Sequence, residues 1–240
     1  MSAVLYAVAG GVATLTLNRP GSRNALNLEM CDGLIGYARE SSSSAGVKLV
    51  LVRANGPAFC AGADLKERQG MSEAQVRERR MKGFAAYAAL EALPMPAIAV
   101  VHGPAVGSGC EIAGACDFIV ATPEASFRTP EAIRGTVGAT QRLPRILGKR
   151  LAKDLMFTGR TLSAEEARAA GLISRLVLFS ELEKTIQQIA KIILEAPPQS
   201  LRLAKRCIDR GIELDPKGAL DEEIAAIEEQ LAGGSWMGRK

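Results

Sequence analysis

The sequence predicts an α/β fold, because segments typical of strands alternate with segments typical of helices through its first half. The clearest strand is PAIAVVHG at 96–103, which is apolar at consecutive positions, as a strand buried on both faces should be. The clearest helix begins after Ser72 and ends before Pro94. Ser72 and Gln75 have the spacing of a capping box, which satisfies two backbone N–H groups at a helix start.

Two further strands precede the clearest one. GVATLTLNRP at 11–20 has the composition of a strand that Pro20 ends. VKLVLVRANG at 47–56 is a second one, closed by the turn residues Asn55 and Gly56. The serines at 41–44 predict a short loop or the end of a helix. The predicted sheet therefore has three recognisable strands in this half of the chain.

The character of the chain changes after about Leu176. Asp215 is a good N-cap for a helix with proline at its first position. The predicted helices in this region are amphipathic and cover 181–196, 200–212 and 216 to about 233. We therefore divide the chain into an α/β core at 1–177 and a helical region at 178–240. Such a helical region favours a role in oligomerisation.

Composition places the chain among ordinary globular proteins. It has 240 residues, of which 48% are hydrophobic and 23% charged, and its formal net charge is +4. That mild basic excess fits an anionic ligand and is too small to require a nucleic acid. No apolar stretch approaches the length of a membrane span. The N-terminus has no basic residue before its apolar run, so we expect a cytoplasmic protein, or a mitochondrial-matrix one if a transit peptide precedes this sequence.

The cysteines and the histidine argue against disulfide and metal chemistry. The five cysteines include no C-x-x-C pair, so reduced thiols are the expectation. His102 is the single histidine and ends the strand at 96–103, where we interpret it as a polar strand terminus. We therefore predict no metal site. No G-x-S-x-G elbow or phosphate-binding P-loop is found either.

Carboxylates and glycine-rich turns remain as candidates for chemistry. Glu111 lies in HGPAVGSGCEIAGACD, 102–117, among small and apolar residues, where an unpaired charge would be costly. The turn at 107–109 lies between a strand and a helix and offers backbone N–H groups. The turn in FCAGADLKE, 59–67, does the same after an earlier strand. One N–H from each turn could form an oxyanion hole for a carbonyl oxygen.

Taken together, these motifs resemble the enoyl-CoA hydratase/isomerase (crotonase) family. The similar segments run in order along nearly the whole chain. FCAGADLKER at 59–68, followed by Met71 and Ser72, and SLRLAKRCIDRGIELD at 200–215 look most like the AU-binding methylglutaconyl-CoA hydratase branch. The segments are NRPGSRNALN at 18–27, FCAGADLKE at 59–67, 94–122, SFRTPEAIRG at 126–135 and 140–177. The resemblance implies a spiral of ββα turns that holds a coenzyme A thioester, with C-terminal helices that assemble trimers or hexamers.

The resemblance also implies the site residues. The oxyanion-hole donors would be Ala63 and Ser108, and the two hydratase glutamates would be Glu111 and Glu131. The substrate-binding positions would be Arg23, Ala25, Leu26, Ala61, Asp64, Leu65 and Lys66. Coenzyme A would be part of the substrate, so no separate cofactor is expected.

The implied reaction has a physical basis of its own. Two N–H groups polarise the thioester C=O, so that C3 of a 2-enoyl-CoA becomes electrophilic. Glu111 would mainly activate water and Glu131 would mainly deliver a proton, because neighbouring carboxyl groups have their pKa values split. The leading prediction is therefore a hydratase that converts a 2-enoyl-CoA into a 3-hydroxyacyl-CoA, as in fatty acid metabolism.

Three departures from the family pattern leave alternatives open. Ser108 replaces a usual glycine, the segment from Glu131 to Thr140 is a few residues short, and the chain ends early at SWMGRK. The short segment could displace Glu131. An enoyl-CoA isomerase, or another crotonase-fold enzyme that uses Glu111 alone, is therefore the alternative.

Two basic segments have more than one interpretation. RLPRILGKR, 142–150, could attract anionic coenzyme A or could solvate a helix. VRERRMK, 76–82, is interpreted as a solvated helix face interleaved with glutamate. A noncatalytic RNA-binding relative is the third hypothesis, but RNA phosphates would prefer a stripe of Lys and Arg that the region after NRP lacks. Nucleic acid and membrane partners are therefore not expected.

Overall fold

A computed structural model describes residues 2–233, in which two sheets are surrounded by helices. The larger sheet has the order β1-β2-β3-β4-β6-β9, with β1 and β2 antiparallel and the other neighbours parallel. Its strands are β1 (Val4–Ala9), β2 (Val12–Leu17), β3 (Leu49–Ala54), β4 (Ala97–Val101), β6 (Phe118–Ala121) and β9 (Arg175–Leu176). The three strands predicted from the sequence are β2, β3 and β4.

The smaller sheet has the order β5-β7-β8. Its strands are β5 (Pro104–Val106), β7 (Ser126–Arg128) and β8 (Thr161–Ser163). An isolated parallel bridge joins Cys60 to Ala105, so the segment after β3 extends this sheet by one residue pair. After β1 and β2, which both belong to the larger sheet, successive turns of the chain give one strand or bridge to each sheet before a helix, which is the predicted spiral of ββα turns.

Helices fill the outside of the spiral and form the C-terminal region. They are α1 (Leu28–Ser43), α2 (Glu73–Glu91), α3 (Ser108–Gly114), α4 (Arg142–Thr158), α5 (Ala164–Ala169), α6 (Phe179–Glu195), α7 (Pro198–Gly211) and α8 (Pro216–Ala232). The serines at 41–44 are a helix end, as one of the two interpretations predicted. Single 3-10 turns cover Pro20–Ser22 and Ala132–Arg134.

The predicted helix caps are present. Ser72 and Gln75 form a reciprocal capping box at the start of α2, and the Asp215 carboxylate accepts a hydrogen bond from the Gly218 N–H at the start of α8. Each cap satisfies N–H groups that have no partner inside the helix. These local signals in the sequence were therefore sufficient to place both helix starts.

The core lies on both faces of the larger sheet. One face packs against α1, α2 and α3 in a continuous apolar cluster. On the other face, Leu182, Ile186 and Ile189 of α6 pack against strand residues such as Ile98 and Val100. The predicted boundary between the α/β core and the helical region, at residue 177, stays a prediction. Helix α6, which follows it, packs directly against the larger sheet. Residues 235–240, where the early chain end was noted, lie outside the described residues.

Candidate active site

A cavity of about 430 Å³ lies where the two predicted glycine turns meet the start of α3. Seven of the predicted site residues line it, and they come from four separate stretches of chain: Leu26, Ala61, Ala63, Leu65, Ser108, Glu111 and Glu131. A larger groove of about 680 Å³ lies between α7 and α8, but its lining is mainly apolar and contains Glu223 as its single carboxylate. The smaller cavity is therefore the candidate site, because it alone of these two combines paired carboxyl groups with turn N–H groups.

Two loops that carry Ala63 and Ser108 are held side by side by backbone hydrogen bonds. The Val106 N–H donates to the Cys60 carbonyl at 2.8 Å, which places the end of β5 against the loop that leads to Ala63. A β-carbon on Gly109 would collide with the Cys60 carbonyl oxygen, so the approach requires glycine there. Among the hydrogen bonds of residues 2–233, none is donated by the backbone N–H of Ala63 or Ser108. Both N–H groups therefore remain available to a ligand oxygen.

Glu111 is buried on α3 and lines the cavity. Its side chain is 7% exposed, and Oε2 accepts a hydrogen bond from Nη1 of Arg142 at 2.8 Å. Oε1 is buried and has no hydrogen-bond partner among the described residues. Burial raises the pKa of this carboxyl group, while the charge and hydrogen bond of Arg142 oppose that rise. The arrangement leaves one oxygen of a buried carboxylate free for chemistry.

Glu131 reaches the same cavity from the loop before α4. Its carboxyl group packs against Gly107, where a β-carbon would collide with Oε1. Oε2 is buried and finds no hydrogen-bond partner within the part of the chain that the structure describes. Burial raises the pKa of Glu131, its own backbone N–H opposes the rise, and the neighbouring charge of Glu111 adds to it. The shortened loop therefore leaves Glu131 beside Glu111.

The loop after Glu131 is supported by α2. The Arg80 guanidinium donates to Thr136 Oγ1 at 3.0 Å and also to the Val137 carbonyl oxygen. Thr136 in turn donates its N–H to the Glu131 carbonyl at 2.9 Å. A basic side chain from another element thus holds the short loop, and this explains how Glu131 keeps its place.

Four of the predicted substrate-binding residues do not line the cavity: Arg23, Ala25, Asp64 and Lys66. They belong to the two segments that border it, and the Ala61 N–H donates to the Arg23 carbonyl at 2.9 Å. Their role in binding stays a prediction.

Asp64 is already engaged by protein groups. It pairs with Arg19 at 2.8 Å and accepts the Lys66 N–H at 3.0 Å. Burial opposes its ionisation, but these partners hold the pKa of Asp64 below its usual value. In the structure its carboxylate orients the loop that presents Ala63.

Basic residues near the site were misjudged from the sequence. In VRERRMK, Arg79 is only 4% exposed and bonds to Glu67 at 2.6 Å and to the Leu26 carbonyl, so the interpretation of a purely solvated face is wrong. In RLPRILGKR, Arg142 turns inward to Glu111, whereas Arg145 lies on the surface. The sequence held no local signal for either contact, because the partners of both arginines lie in other segments of the chain.

Tyr87 of α2 was also missed. It is 5% exposed, faces the Ser108 side chain, and has a pKa raised by burial. The Arg142 guanidinium carbon lies 5.8 Å from the centre of the Tyr87 ring. Tyr87 therefore lines the cavity next to both the Ser108 turn and the Arg142–Glu111 pair.

Residues 2–233 offer neither a cluster of metal ligands nor a membrane-spanning helix. No group of three or more His, Cys, Asp or Glu side chains is placed to hold a metal ion. None of the helices described combines the length and the apolar character that a membrane crossing requires.

Comparison with known proteins places these features in one family. A family model for enoyl-CoA hydratase/isomerase matches residues 7–232. The chain belongs to the enoyl-CoA hydratase/isomerase family. This confirms the family and the crotonase fold predicted from the sequence, while the resemblance to the methylglutaconyl-CoA branch stays a prediction.

Individual relatives of this enoyl-CoA hydratase/isomerase family member cover most of its length. It is 39% identical over 224 residues to the putative enoyl-CoA hydratase/isomerase YngF of Bacillus subtilis, covering 92% of this chain and 86% of that protein. The enoyl-CoA hydratase of Bacillus anthracis superposes with a TM-score of 0.91 at 37% identity, over 94% and 90% of the two chains. A putative enoyl-CoA hydratase of Thermobifida fusca, solved in complex with acetoacetyl-CoA, superposes with a TM-score of 0.87 at 26% identity, over 97% and 96%.

Proposed function

We propose that this protein is a hydratase that adds water across the double bond of a 2-enoyl-CoA. The observation that carries the proposal is the pair Glu111 and Glu131, which line one cavity next to the Ser108 turn. Hydration needs a base for the water and an acid for C2, and two buried carboxyl groups with different partners can supply both. The acetoacetyl-CoA complex of the Thermobifida fusca protein supports an acyl-CoA thioester as the substrate.

In the proposed reaction the thioester oxygen accepts hydrogen bonds from the N–H groups of Ala63 and Ser108. Each such donor typically lowers the barrier by about 3 kcal/mol, because negative charge develops on that oxygen. Electron density leaves C3, which the water oxygen attacks. The two N–H groups belong to loops that β5 holds together, so they need little reorganisation on binding.

The two glutamates divide the proton transfers. Glu111 takes a proton from water as the C3–O bond forms, and Glu131 gives its proton to C2. The product gains one O–H and one C–H bond, so the atoms of water are accounted for. A proton must then pass from Glu111 to Glu131 before the next cycle, and both carboxyl groups face the same cavity.

A comparison of two reactions tests this proposal. The enzyme is given short 2-enoyl-CoA substrates, whose conjugated absorbance is lost on hydration, and a 3-enoyl-CoA, whose isomerisation creates that absorbance. We expect hydration by the wild-type protein and a fall of ~100-fold or more in Glu131→Gln, because a general acid is removed. Full hydration activity in Glu131→Gln would contradict the two-glutamate mechanism.

The isomerase alternative predicts a different pattern. A single carboxylate can remove a proton from one carbon and return it to another, so isomerisation would need Glu111 and would survive loss of Glu131. Efficient isomerisation in wild type and in Glu131→Gln, without hydration, would therefore favour the alternative. The preferred acyl chain is found by comparing 2-enoyl-CoA substrates of different chain lengths. The preferred length is the one with the highest kcat/KM.

We also propose that α7 and α8 take part in a homotrimer or hexamer. Their outer faces expose apolar residues, among them Ile208, Ile212 and Leu220 at 69%, 76% and 56%. Contiguous apolar surface of this kind is typical of a subunit interface. Size-exclusion chromatography coupled to light scattering measures the mass of the assembly. A monomeric mass at micromolar concentration would contradict the proposal. A cytoplasmic location and the absence of a nucleic acid partner stay predictions.

A further inference from the structure

Arg142 is the only cation that the described residues place within hydrogen-bond distance of either carboxyl group in the cavity. Its Nη1 donates to Glu111 Oε2 at 2.8 Å, and its Nη2 donates to Glu91 Oε2 at 2.6 Å. The Arg142 side chain is 17% exposed and that of Glu91 is 55% exposed. The guanidinium therefore joins a buried carboxylate in the site to one near the surface.

The position of Arg142 is fixed by two other helices. Arg142 is the first residue of α4, whereas Glu111 belongs to α3, and Glu91 and Tyr87 belong to α2. The planar fork of an arginine suits two carboxylates at once, and its face lies over the Tyr87 ring. Contacts from three directions thus restrict the guanidinium to one orientation.

We propose that Arg142 is a positioning residue that holds Glu111 ionised with Oε1 toward the substrate, so that Glu111 is the base and Glu131 the acid. This inference rests on the proposed two-glutamate function and names the group that keeps its base ionised and oriented. With Oε2 occupied by Arg142, only Oε1 is free to accept a proton from water. Glu131 has no such cationic partner among residues 2–233, so it is the carboxyl group that holds the proton.

The groups that face Glu111 agree with this assignment. Arg142 opposes the rise in the pKa of Glu111 that burial causes, while Glu91 adds to it. Tyr87 stays neutral, because burial raises its pKa. At Glu131 the charges of Arg134 and Arg80 act more weakly than burial and the charge of Glu111. A neighbouring cation therefore favours ionisation more strongly at Glu111 than at Glu131.

The loop between Glu131 and Arg142 gives the arrangement a further consequence. Glu131 stands at the start of the shortened segment and Arg142 follows its end, so one stretch of chain supplies the proposed acid and orients the proposed base. A change in the length of this segment would act on both carboxyl groups together.

The test measures the ionisation of Glu111 directly and does not depend on turnover. Protein with ¹³C-labelled glutamate carboxyl carbons is titrated by NMR in the Glu131→Gln background, where Glu111 is the remaining carboxyl group of the pair. Its resonance is identified by its loss in Glu111→Gln. Arg142→Met should raise the titration midpoint of Glu111 by about one pH unit or more, because an adjacent cation favours the carboxylate.

Two variants control for nonspecific effects. Arg145→Met removes an arginine from the same helix that makes an exposed ion pair with Glu213 at 3.0 Å, and it should leave the Glu111 midpoint unchanged. Arg142→Lys keeps the charge but loses the fork, so it should restore most of the midpoint. If Arg142→Met does not fold, as judged by its melting curve, Arg142→Gln takes its place, because it removes the charge but keeps a polar side chain, and it should raise the midpoint in the same direction.

The rate profile supplies the second measurement. With Glu131 present, the acid limb of kcat for hydration should move to higher pH by about one unit in Arg142→Met, since that limb reports the base in the bound complex. An unchanged Glu111 midpoint in the folded variant that lacks the Arg142 charge overturns the inference. If no hydration is found at all, the proposed function fails, while the NMR midpoint still decides whether Arg142 controls Glu111.

Discussion

Glu111 and Glu131 reach one cavity from two different kinds of backbone. Glu111 is in the middle of a buried helix, and its orientation is fixed by the core and by Arg142. Glu131 is on a loop, and its place depends on the absence of a side chain at Gly107 and on the support that Arg80 gives to the loop. The position of the Glu111 carboxyl group should therefore tolerate nearby substitutions, whereas the position of the Glu131 carboxyl group should respond to small changes around the loop.

The largest expected effect is the loss of Glu111. Glu111→Gln removes the base and leaves Arg142 with Glu91 as its remaining partner. We expect both hydration and any isomerisation to fall by ~1,000-fold or more, because a single general base contributes up to about 10⁴. The measurement is kcat/KM from enoyl-thioester absorbance. Activity of Glu111→Gln equal to wild type would contradict every mechanism considered for this site.

A smaller effect is expected from displacing Glu131 without removing it. Gly107 has φ of 50°, and a β-carbon there would collide with the Glu131 carboxyl group, so Gly107→Ala should push that group aside. We expect hydration to fall by ~10- to 100-fold, because a displacement of about 1 Å can cost 100-fold.

The control for this variant is Gly70→Ala. Gly70 also has a positive φ, of 79°, but a β-carbon there would meet open space. It therefore introduces the same kind of backbone strain away from the cavity, and its activity should match wild type. Equal losses in both variants would mean that strain, rather than the position of Glu131, explains the effect.

Stability should distinguish the two carboxyl groups as well. Burial raises the folded-state pKa of Glu131, so the stability that its proton contributes is lost as the pH rises through that pKa. Glutamine does not ionise, so Glu131→Gln avoids this loss of stability and should raise Tm by about 2 °C at neutral pH. Glu111→Gln should not gain as much, because it also removes a partner of Arg142. Melting curves between pH 4 and 8 test this, and the gain of Glu131→Gln must vanish at the acid end.

The sequence was sufficient for most of the fold, and it named Glu111 and Glu131, which line one cavity and whose catalytic roles stay predictions. Helix caps such as Ser72 and Asp215 act within one helical turn and can be recognised locally. The unbroken apolar sequence of β4 likewise predicts that the strand is buried on both faces. The partnership of Arg142 with Glu111 could not be predicted in this way, because it joins α4 to α3 across the tertiary fold. The inward turn of Arg79 was missed for the same reason: its partners Glu67 and Leu26 come from other segments.

The smallest expected effect concerns Ser108, whose hydroxyl departs from the usual glycine. If the backbone N–H is the group that matters, Ser108→Ala should change kcat/KM by less than about threefold, well under the 1.36 kcal/mol of a tenfold change. Ser108→Pro is the informative contrast, because proline is tolerated at the first position of a helix but has no N–H. That variant should lose ~100-fold in kcat if it folds normally. A large loss in Ser108→Ala instead would assign the hydroxyl, and its neighbour Tyr87, a part in binding the substrate.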